Sequence, residues 1–245
     1  MEKLIKGLRE FQTTQFSKYQ DLFEQLAQGQ KPRILFITCS DSRVDPNLIT
    51  NAQVGDLFVI RNAGNIIPSH GSANGGEGAT IEYAMEALDI QQIIVCGHSH
   101  CGAMKGLLKI DQLRDKMPLV CQWLQHTEAT RRLIKDNYSH LQGESLLDVA
   151  IAENVLTQIE NLRTYPSIHA KLRQGRLSLH AWVYHIESAE VFAYDANTHE
   201  YILPAATPQP LDPEELLAPY YHKPMGWLAP QQAERIYRGS QRKSS

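Results

Sequence analysis

The sequence predicts an α/β domain built on a central parallel sheet, preceded by a helical arm and followed by a proline-rich extension. Three observations carry that prediction. Residues 33–38, 57–60 and 92–96 are short, nearly continuous apolar runs, the pattern of strands buried on both faces. Between the last two lies a glycine-rich turn leading into a helix-patterned segment, residues 75–88, and strand–helix–strand at this spacing implies parallel strands joined by right-handed crossovers. The chain, at 245 residues, is long enough for one full core of roughly 200 residues plus a tail.

The elements follow in order. Residues 1–29 form the helical arm: Leu4, Leu8 and Phe11, then Leu22, Phe23 and Leu26, fall at spacings that make apolar faces, and Gly29 and Pro32 end the pattern. Polar Gln12-Thr13-Thr14-Gln15 is expected to separate the first helix from the core, so that it packs on its own domain or reaches a partner subunit. Residues 30–203 form the α/β domain. Within it Ile81, Ala84, Met85 and Leu88 share one helix face, and residues 144–163 form a long helix with Leu147, Ile151, Val155 and Ile159 at helical spacing. Residues 177–186 and 191–194 are two more strands, a hairpin turned at Glu187-Ser188-Ala189-Glu190. Residues 204–245 carry Pro204, Pro208, Pro210, Pro213, Pro219, Pro224 and Pro230, a density that prevents regular helix or central strand and gives an extended linker. The linker ends in residues 230–239, with a helix start at Pro230 and a stop at Gly239. Ile236 and Tyr237 beside Arg235 and Arg238 make that segment a docking peptide in expectation.

Composition excludes several function classes. A formal net charge of −3 offers no basic surface for nucleic acid. No apolar run approaches the roughly 18 residues that span a bilayer, and the N-terminus lacks the apolar core of a signal peptide. A soluble cytoplasmic protein is expected, with neither nucleic acid nor membrane as partner. Four cysteines in a chain this long make no disulfide scaffold, and a reducing compartment fits them better. Cys96 and Cys121 lie in apolar segments and read as buried small hydrophobes.

The other two cysteines carry chemistry. Cys39 opens Cys39-Ser40-Asp41-Ser42-Arg43 just after the first strand run, and His98 and Cys101 lie in Gly97-His98-Ser99-His100-Cys101-Gly102 just after the third. Both clusters thus fall at the C-terminal ends of parallel strands, the edge of an open α/β sheet where ligands bind. Two thiolates and one imidazole are three zinc ligands with a fourth position open, the arrangement of a catalytic zinc. A His-x-x-Cys alone is a weak signal and a Cys-x-Asp-x-Arg is no stronger; their joint position makes the case. Two thiolates neutralise the ion, so a water there needs help from its neighbours to ionise. On an extended backbone Cys39, Asp41 and Arg43 point the same way, so Arg43 holds Asp41 in a two-pronged ion pair. Asp41 then either accepts a hydrogen bond from the nucleophile or swings over to become the fourth ligand; one carboxylate cannot do both. His100 alternates away from His98 and reads as a polar neighbour of the site.

These motifs, with Arg61-Asn62-Ala63-Gly64-Asn65 and residues 78–84, closely resemble the β-class carbonic anhydrases over residues 20–195. The resemblance implies a zinc lyase for CO2 + H2O ⇌ HCO3⁻ + H⁺, with one Zn2+ per subunit and hydroxide on zinc as the attacking group. It implies a three-layer fold with four parallel strands and an added antiparallel strand, and a homo-oligomer built from dimers. Cys39, His98 and Cys101 match the zinc ligands, and Asp41 and Arg43 the catalytic dyad, with Asp41 a ligand only in a closed form. Gln30 matches a substrate hydrogen-bond donor, Phe58 and Tyr83 aromatic positions of a substrate cleft at the dimer interface, and Gly102 a glycine whose N–H faces the site. Gln30 favours the open form.

The tail ending in residues 233–240 resembles that of the carboxysomal members of cyanobacteria. That implies a place inside the carboxysome, CO2 supplied to Rubisco from bicarbonate for photosynthetic carbon fixation, and docking on a scaffold protein. Two other functions remain open on sequence: a carbonyl sulfide or carbon disulfide hydrolase on the same fold, and a non-catalytic scaffold module. The intact set of Cys39, Asp41, Arg43, His98 and Cys101 argues against the second.

Overall fold

The structure, a computed structural model, describes residues 1–73 and 75–204; the proline-rich linker after Pro204 and the docking peptide at 230–239 lie outside the described residues. The arm opens with α1 (Glu2–Glu10). It runs on without a break through a π-helical segment, Phe11–Gln15, and a 3-10 turn, Phe16–Lys18, before α2 (Gln20–Leu26). The expected polar separator is therefore helical. No glycine or proline interrupts residues 8–28, and the Thr13 and Thr14 hydroxyls donate back to the Arg9 and Glu10 carbonyls, which suits the widened turn. No residue of α1 or α2 is buried.

The domain follows as β1 (Ile34–Cys39), α3 (Pro46–Thr50), β2 (Leu57–Asn62), α4 (Gly76–Glu86) and β3 (Gln92–His98). Then come α5 (Gly102–Leu107), α6 (Pro118–Leu124), α7 (Glu128–Asn137), α8 (Gly143–Arg163) and α9 (Pro166–Arg173). The chain closes with β4 (Ser178–His185), β5 (Glu190–Asp195) and β6 (Glu200–Ile202). The sheet order is β2-β1-β3-β4-β5-β6. The first four strands are parallel and β5 runs antiparallel to β4, as expected. Beyond expectation, β6 pairs antiparallel with β5 through Ala193–Ile202, Tyr194–Tyr201 and Asp195–Glu200. Its three residues bury only Tyr201, too short a pattern to read as a strand.

The strands bury both faces. Leu35, Ile37, Ile93 and Val95 join the large core with Ile81, Met85, Leu107, Ile134 and the inner face of α8. Phe36, Ile94 and Cys96 form a smaller cluster, flanked by partly buried Ile34, Leu57, Val59, Trp182 and Tyr184. Helix α8 is buried nearly all round and packs on β3 and β4. Gly97 permits that approach, since a Cβ there would come 2.8 Å from Val155 Cγ2 and 3.2 Å from Ile151 Cγ2. The next residue is His98, so the packing of α8 on β3 sets the depth of a candidate ligand.

Candidate active site

Register places the ligands. β1 and β3 are adjacent and parallel, with Thr38 opposite Cys96, so Cys39 and His98 leave the same sheet edge on neighbouring strands. Cys101 follows after a tight reversal in which His100 takes φ +56°, and it precedes the first residue of α5. One ligand atom from each of Cys39, His98 and Cys101 lies within 4.8 Å of the others, and all three residues are buried.

The donor set fits a soft divalent cation. His98 Nδ1 is 2.9 Å from the Ser99 carbonyl, which places the ring proton there and leaves Nε2 with its lone pair. That Nε2 is buried with no hydrogen-bond partner among the described residues, a costly state unless a cation sits against it. The Cys39 thiol is lowered to about 4, above all by the hydrogen bond it receives from Cys101. Cys101 is raised well above the ordinary thiol value by that same hydrogen bond and by burial. The opposite shifts show two sulfurs close enough to act on one another, a pair that would serve as two thiolates for a bound cation. Cys96, fully buried away from this edge, is pushed up to about 12 by desolvation and stays an inert thiol.

Asp41 stands beside this cluster. Its Oδ2 is 3.9 Å from His98 Nε2. Arg43 donates to Oδ1 from Nε at 2.9 Å and to Oδ2 from Nη2 at 2.8 Å, and its backbone N–H adds a third bond to Oδ1 at 3.0 Å. The guanidinium hydrogen bonds hold the Asp41 carboxyl well below the usual carboxylate range. The pair forms, but not on the extended backbone expected. β1 stops at Cys39, and a turn closed by Val44 N–H on the Asp41 carbonyl folds Arg43 back onto Asp41. A carboxylate accepting from the N–H two residues on is the usual way an aspartate makes such a turn.

Several supporting residues carry no local signal in the sequence. Gly64, at φ +83°, donates its N–H to Cys39 Sγ at 3.4 Å. Its carbonyl accepts from Asn154 Nδ2 at 3.0 Å, and the neighbouring Ala63 carbonyl accepts from the Trp123 indole at 2.8 Å. Arg61 donates to the backbone carbonyls of Cys39 and Asp41, at 3.1 and 2.8 Å. Only the string Arg61–Asn65 signalled this in sequence, as a motif without assigned roles.

The candidate substrate residues are placed unevenly. Phe58 packs half-buried against the core with its ring centroid 6.0 Å from that of Tyr83, which is half exposed on α4. Gly102 follows Cys101 at the start of α5, and a Cβ there would meet nothing within 4 Å. Gln30 is exposed between α2 and β1, with no hydrogen bond from its side chain among the described residues. His100 is partly exposed and pairs with Glu144 at 3.0 Å, as a polar neighbour of the site.

Comparison with known proteins assigns the arrangement. A family model described as carbonic anhydrase matches residues 34–191. A carbonic anhydrase of Synechocystis sp. is 56% identical over an alignment covering 98% of this chain and 100% of that protein. Another, of Synechococcus elongatus, is 50% identical over 98% of this chain and 99% of that protein. Among solved structures, that of the β-carbonic anhydrase CcaA superposes with a TM-score of 0.83 at 67% identity, covering 83% of this chain and 99% of that one. A β-carbonic anhydrase of Sordaria macrospora, described as tetrameric, gives 0.69 at 27% identity, covering 78% of this chain and 95% of that one.

Proposed function

Since the chain belongs to the β-class carbonic anhydrases, zinc enzymes that interconvert carbon dioxide and bicarbonate, we propose that it works with Asp41 held open by Arg43, and that it serves a carboxysome. Cys39, His98 and Cys101 are the residues that hold the zinc. When bound, the metal supplies the Lewis acidity that makes water a nucleophile for CO2 at neutral pH.

The observation that carries the open reading is the engagement of both Asp41 oxygens by Arg43. A carboxylate so held keeps its charge and its place and is not free to become the fourth ligand. In this reading Asp41 accepts the hydrogen bond of the attacking water and orients its lone pair toward CO2. Gly102 N–H and the Gln30 amide are the donors for the oxygens of bicarbonate, and Phe58 and Tyr83 the apolar wall for CO2. Gln30 and Tyr83 are exposed in the single chain, as are Leu4, Ile5, Leu8 and Phe11 on the arm. A second copy covering them completes the site, which makes a dimer the working unit.

The carboxysomal role rests on the extension. The two cyanobacterial alignments span 98% of this chain, so they include most of residues 204–245; those with the carbonic anhydrases of Pseudomonas aeruginosa and Escherichia coli span 85%. A segment shared with the cyanobacterial enzymes and carrying Arg235, Ile236, Tyr237 and Arg238 suits docking to a carboxysome scaffold protein, where the enzyme would supply CO2 to Rubisco. The test removes residues 205–245 and measures two things. Stopped-flow CO2 hydration is expected to stay within about twofold of the full chain, while co-sedimentation with carboxysomes is lost. Retention of the shortened enzyme in carboxysomes would defeat the docking role, and crystals grown above pH 8 with Asp41 on zinc would defeat the open form.

A further inference from the structure

The turn between β4 and β5 meets the ligand loop at Ser99 and His100, and the reaction has no use for that contact. Ser99, 3% exposed, lies between His98 and His100. Its N–H donates to the Tyr184 carbonyl at 2.9 Å, extending the β3–β4 ladder one residue past the strand. Its hydroxyl donates to Glu187 Oε2 at 2.7 Å and accepts the Ile186 N–H at 3.0 Å. Its carbonyl takes the His98 Nδ1 proton. Every polar group of Ser99 is therefore engaged, and one of them sets the tautomer and plane of the imidazole.

We propose that Ser99 and Glu187 are positioning residues that clamp the His98 imidazole for the metal. The argument is geometric. His98 presents Nε2 to the two sulfurs only if Nδ1–H is held elsewhere, and the Ser99 carbonyl is its acceptor. That carbonyl faces inward because the Ser99 peptide is pinned on its other side, by the ladder bond through its N–H and by the hydroxyl through Glu187 and Ile186. Glu187 is the anchor outside the ladder. It reaches in from the turn, and its Oε2 also lies 3.7 Å from His100 Nε2, across the reversal that leads to Cys101. Glu187 therefore ties the hairpin to the segment between two ligands. Outer partners of a metal-bound histidine orient the ring, and their loss typically costs 10–100-fold in metal affinity. The proposal rests on the zinc reading of Cys39, His98 and Cys101.

The experiment follows zinc in the full-length protein. Zinc content of the unaltered protein is measured first; a chain that retains no zinc overturns both the site and the clamp. The rate of zinc transfer to a chromogenic chelator is then compared among Ser99→Ala, Glu187→Ala, Glu187→Gln and the double alanine variant. Both single alanine variants are expected to release zinc about tenfold faster, and the double variant no faster than either, because they break one connection. Glu187→Gln keeps an oxygen to accept the Ser99 hydroxyl and is expected to release zinc near the unaltered rate, a rescue that loss of general stability would not produce. Should Ser99→Ala fail to fold, Glu187→Ala and Glu187→Gln decide alone, since that carboxylate is half exposed. Zinc-loaded protein whose Glu187→Ala variant holds the metal as long as the unaltered chain, or whose Glu187→Gln variant loses it as fast as Glu187→Ala, overturns the clamp while leaving the zinc site standing.

Discussion

Asn154, in the middle of α8, donates its side-chain amide to the carbonyl of Gly64 at 3.0 Å, ninety residues away in sequence. Gly64 in turn donates its N–H to the Cys39 sulfur. Asn154 Oδ1 meanwhile accepts from the Thr127 hydroxyl at 2.7 Å and from Gln158 Nε2 at 2.9 Å, and all of these side chains are buried. One side chain thus joins the core helix to the loop that steadies Cys39. Replacing Asn154 by Leu keeps the number and branching of the side-chain heavy atoms but strands the buried Gly64 carbonyl, at about 1–3 kcal/mol for an unpaired group, while Thr127 and Gln158 each lose one partner and keep another. A loss of about 1–3 kcal/mol in urea unfolding is expected, with weaker retention of zinc. Unfolding within about 0.5 kcal/mol of the native chain would show that water replaces the amide.

Asp41 gives a prediction about chemistry rather than stability. Asp41→Asn keeps the shape but removes the charge that Arg43 holds and leaves only a neutral amide oxygen where the proposed mechanism places a carboxylate acceptor for the nucleophile. CO2 hydration is expected to fall at least about a hundredfold, in line with loss of a positioned proton acceptor, at unchanged zinc content. Stopped-flow hydration beside metal analysis checks it; full activity with zinc bound would remove Asp41 from the reaction. Because the pair lowers the Asp41 carboxyl, its contribution to stability is present above the unfolded value near 3.9 and lost as pH falls toward the depressed native one. Arg43→Ala removes the cause, so the carboxyl should return toward the ordinary range.

The contrast between these two residues marks what was legible in the sequence. Cys39, His98 and Cys101 could be read because each ends or follows a buried strand whose apolar run is unbroken, and strands carry their direction locally. Asp41 and Arg43 could be paired by spacing, yet the extended backbone assumed for them is a turn, since the strand's ladder partners stop at Asn62. Asn154 and Glu187 could not be read at all. Each acts on a residue about ninety positions away, at Gly64 and at Ser99, and a polar residue within a helix or a turn looks the same in sequence whether it faces solvent or a ligand loop. The arm is legible for the opposite reason: its helical reading over residues 1–29 needs only local propensity, and with no glycine or proline in residues 8–28 even polar Gln12–Gln15 stays helical.

Gly97 tests the packing behind His98. Adding a methyl group places it 2.8 Å from Val155 Cγ2 and 3.2 Å from Ile151 Cγ2, on a helix too buried to retreat. Overpacking of this kind costs about 1–3 kcal/mol, so Gly97→Ala is expected to lower the thermal midpoint by about 2–10 °C for a domain of this size. Calorimetry of the zinc-loaded protein checks it. Gly97→Ala with Val155→Ala should recover part of the loss, because the second change removes the nearest methyl group.

Glu153 gives a prediction in pH. The carboxyl lies in α8 at 3% exposure, accepts the Tyr138 hydroxyl at 2.9 Å, and is raised to about 7 by desolvation. In the unfolded chain it titrates near 4.3. Between those values the native state holds a proton that the unfolded state has released, so this group favours folding at low pH and its contribution declines as pH rises through about 7. The full span corresponds to about 4 kcal/mol, of which about 3 kcal/mol is lost between pH 5 and pH 8. Glu153→Gln keeps an oxygen for Tyr138 and cannot ionise. Urea unfolding at pH 5 and pH 8 is therefore expected to differ by about 3 kcal/mol less in that variant than in the native chain, after the other titrating groups cancel between the two proteins. Equal pH dependence in both would mean that Glu153 is ionised in the fold at neutral pH, with water reaching it along α8.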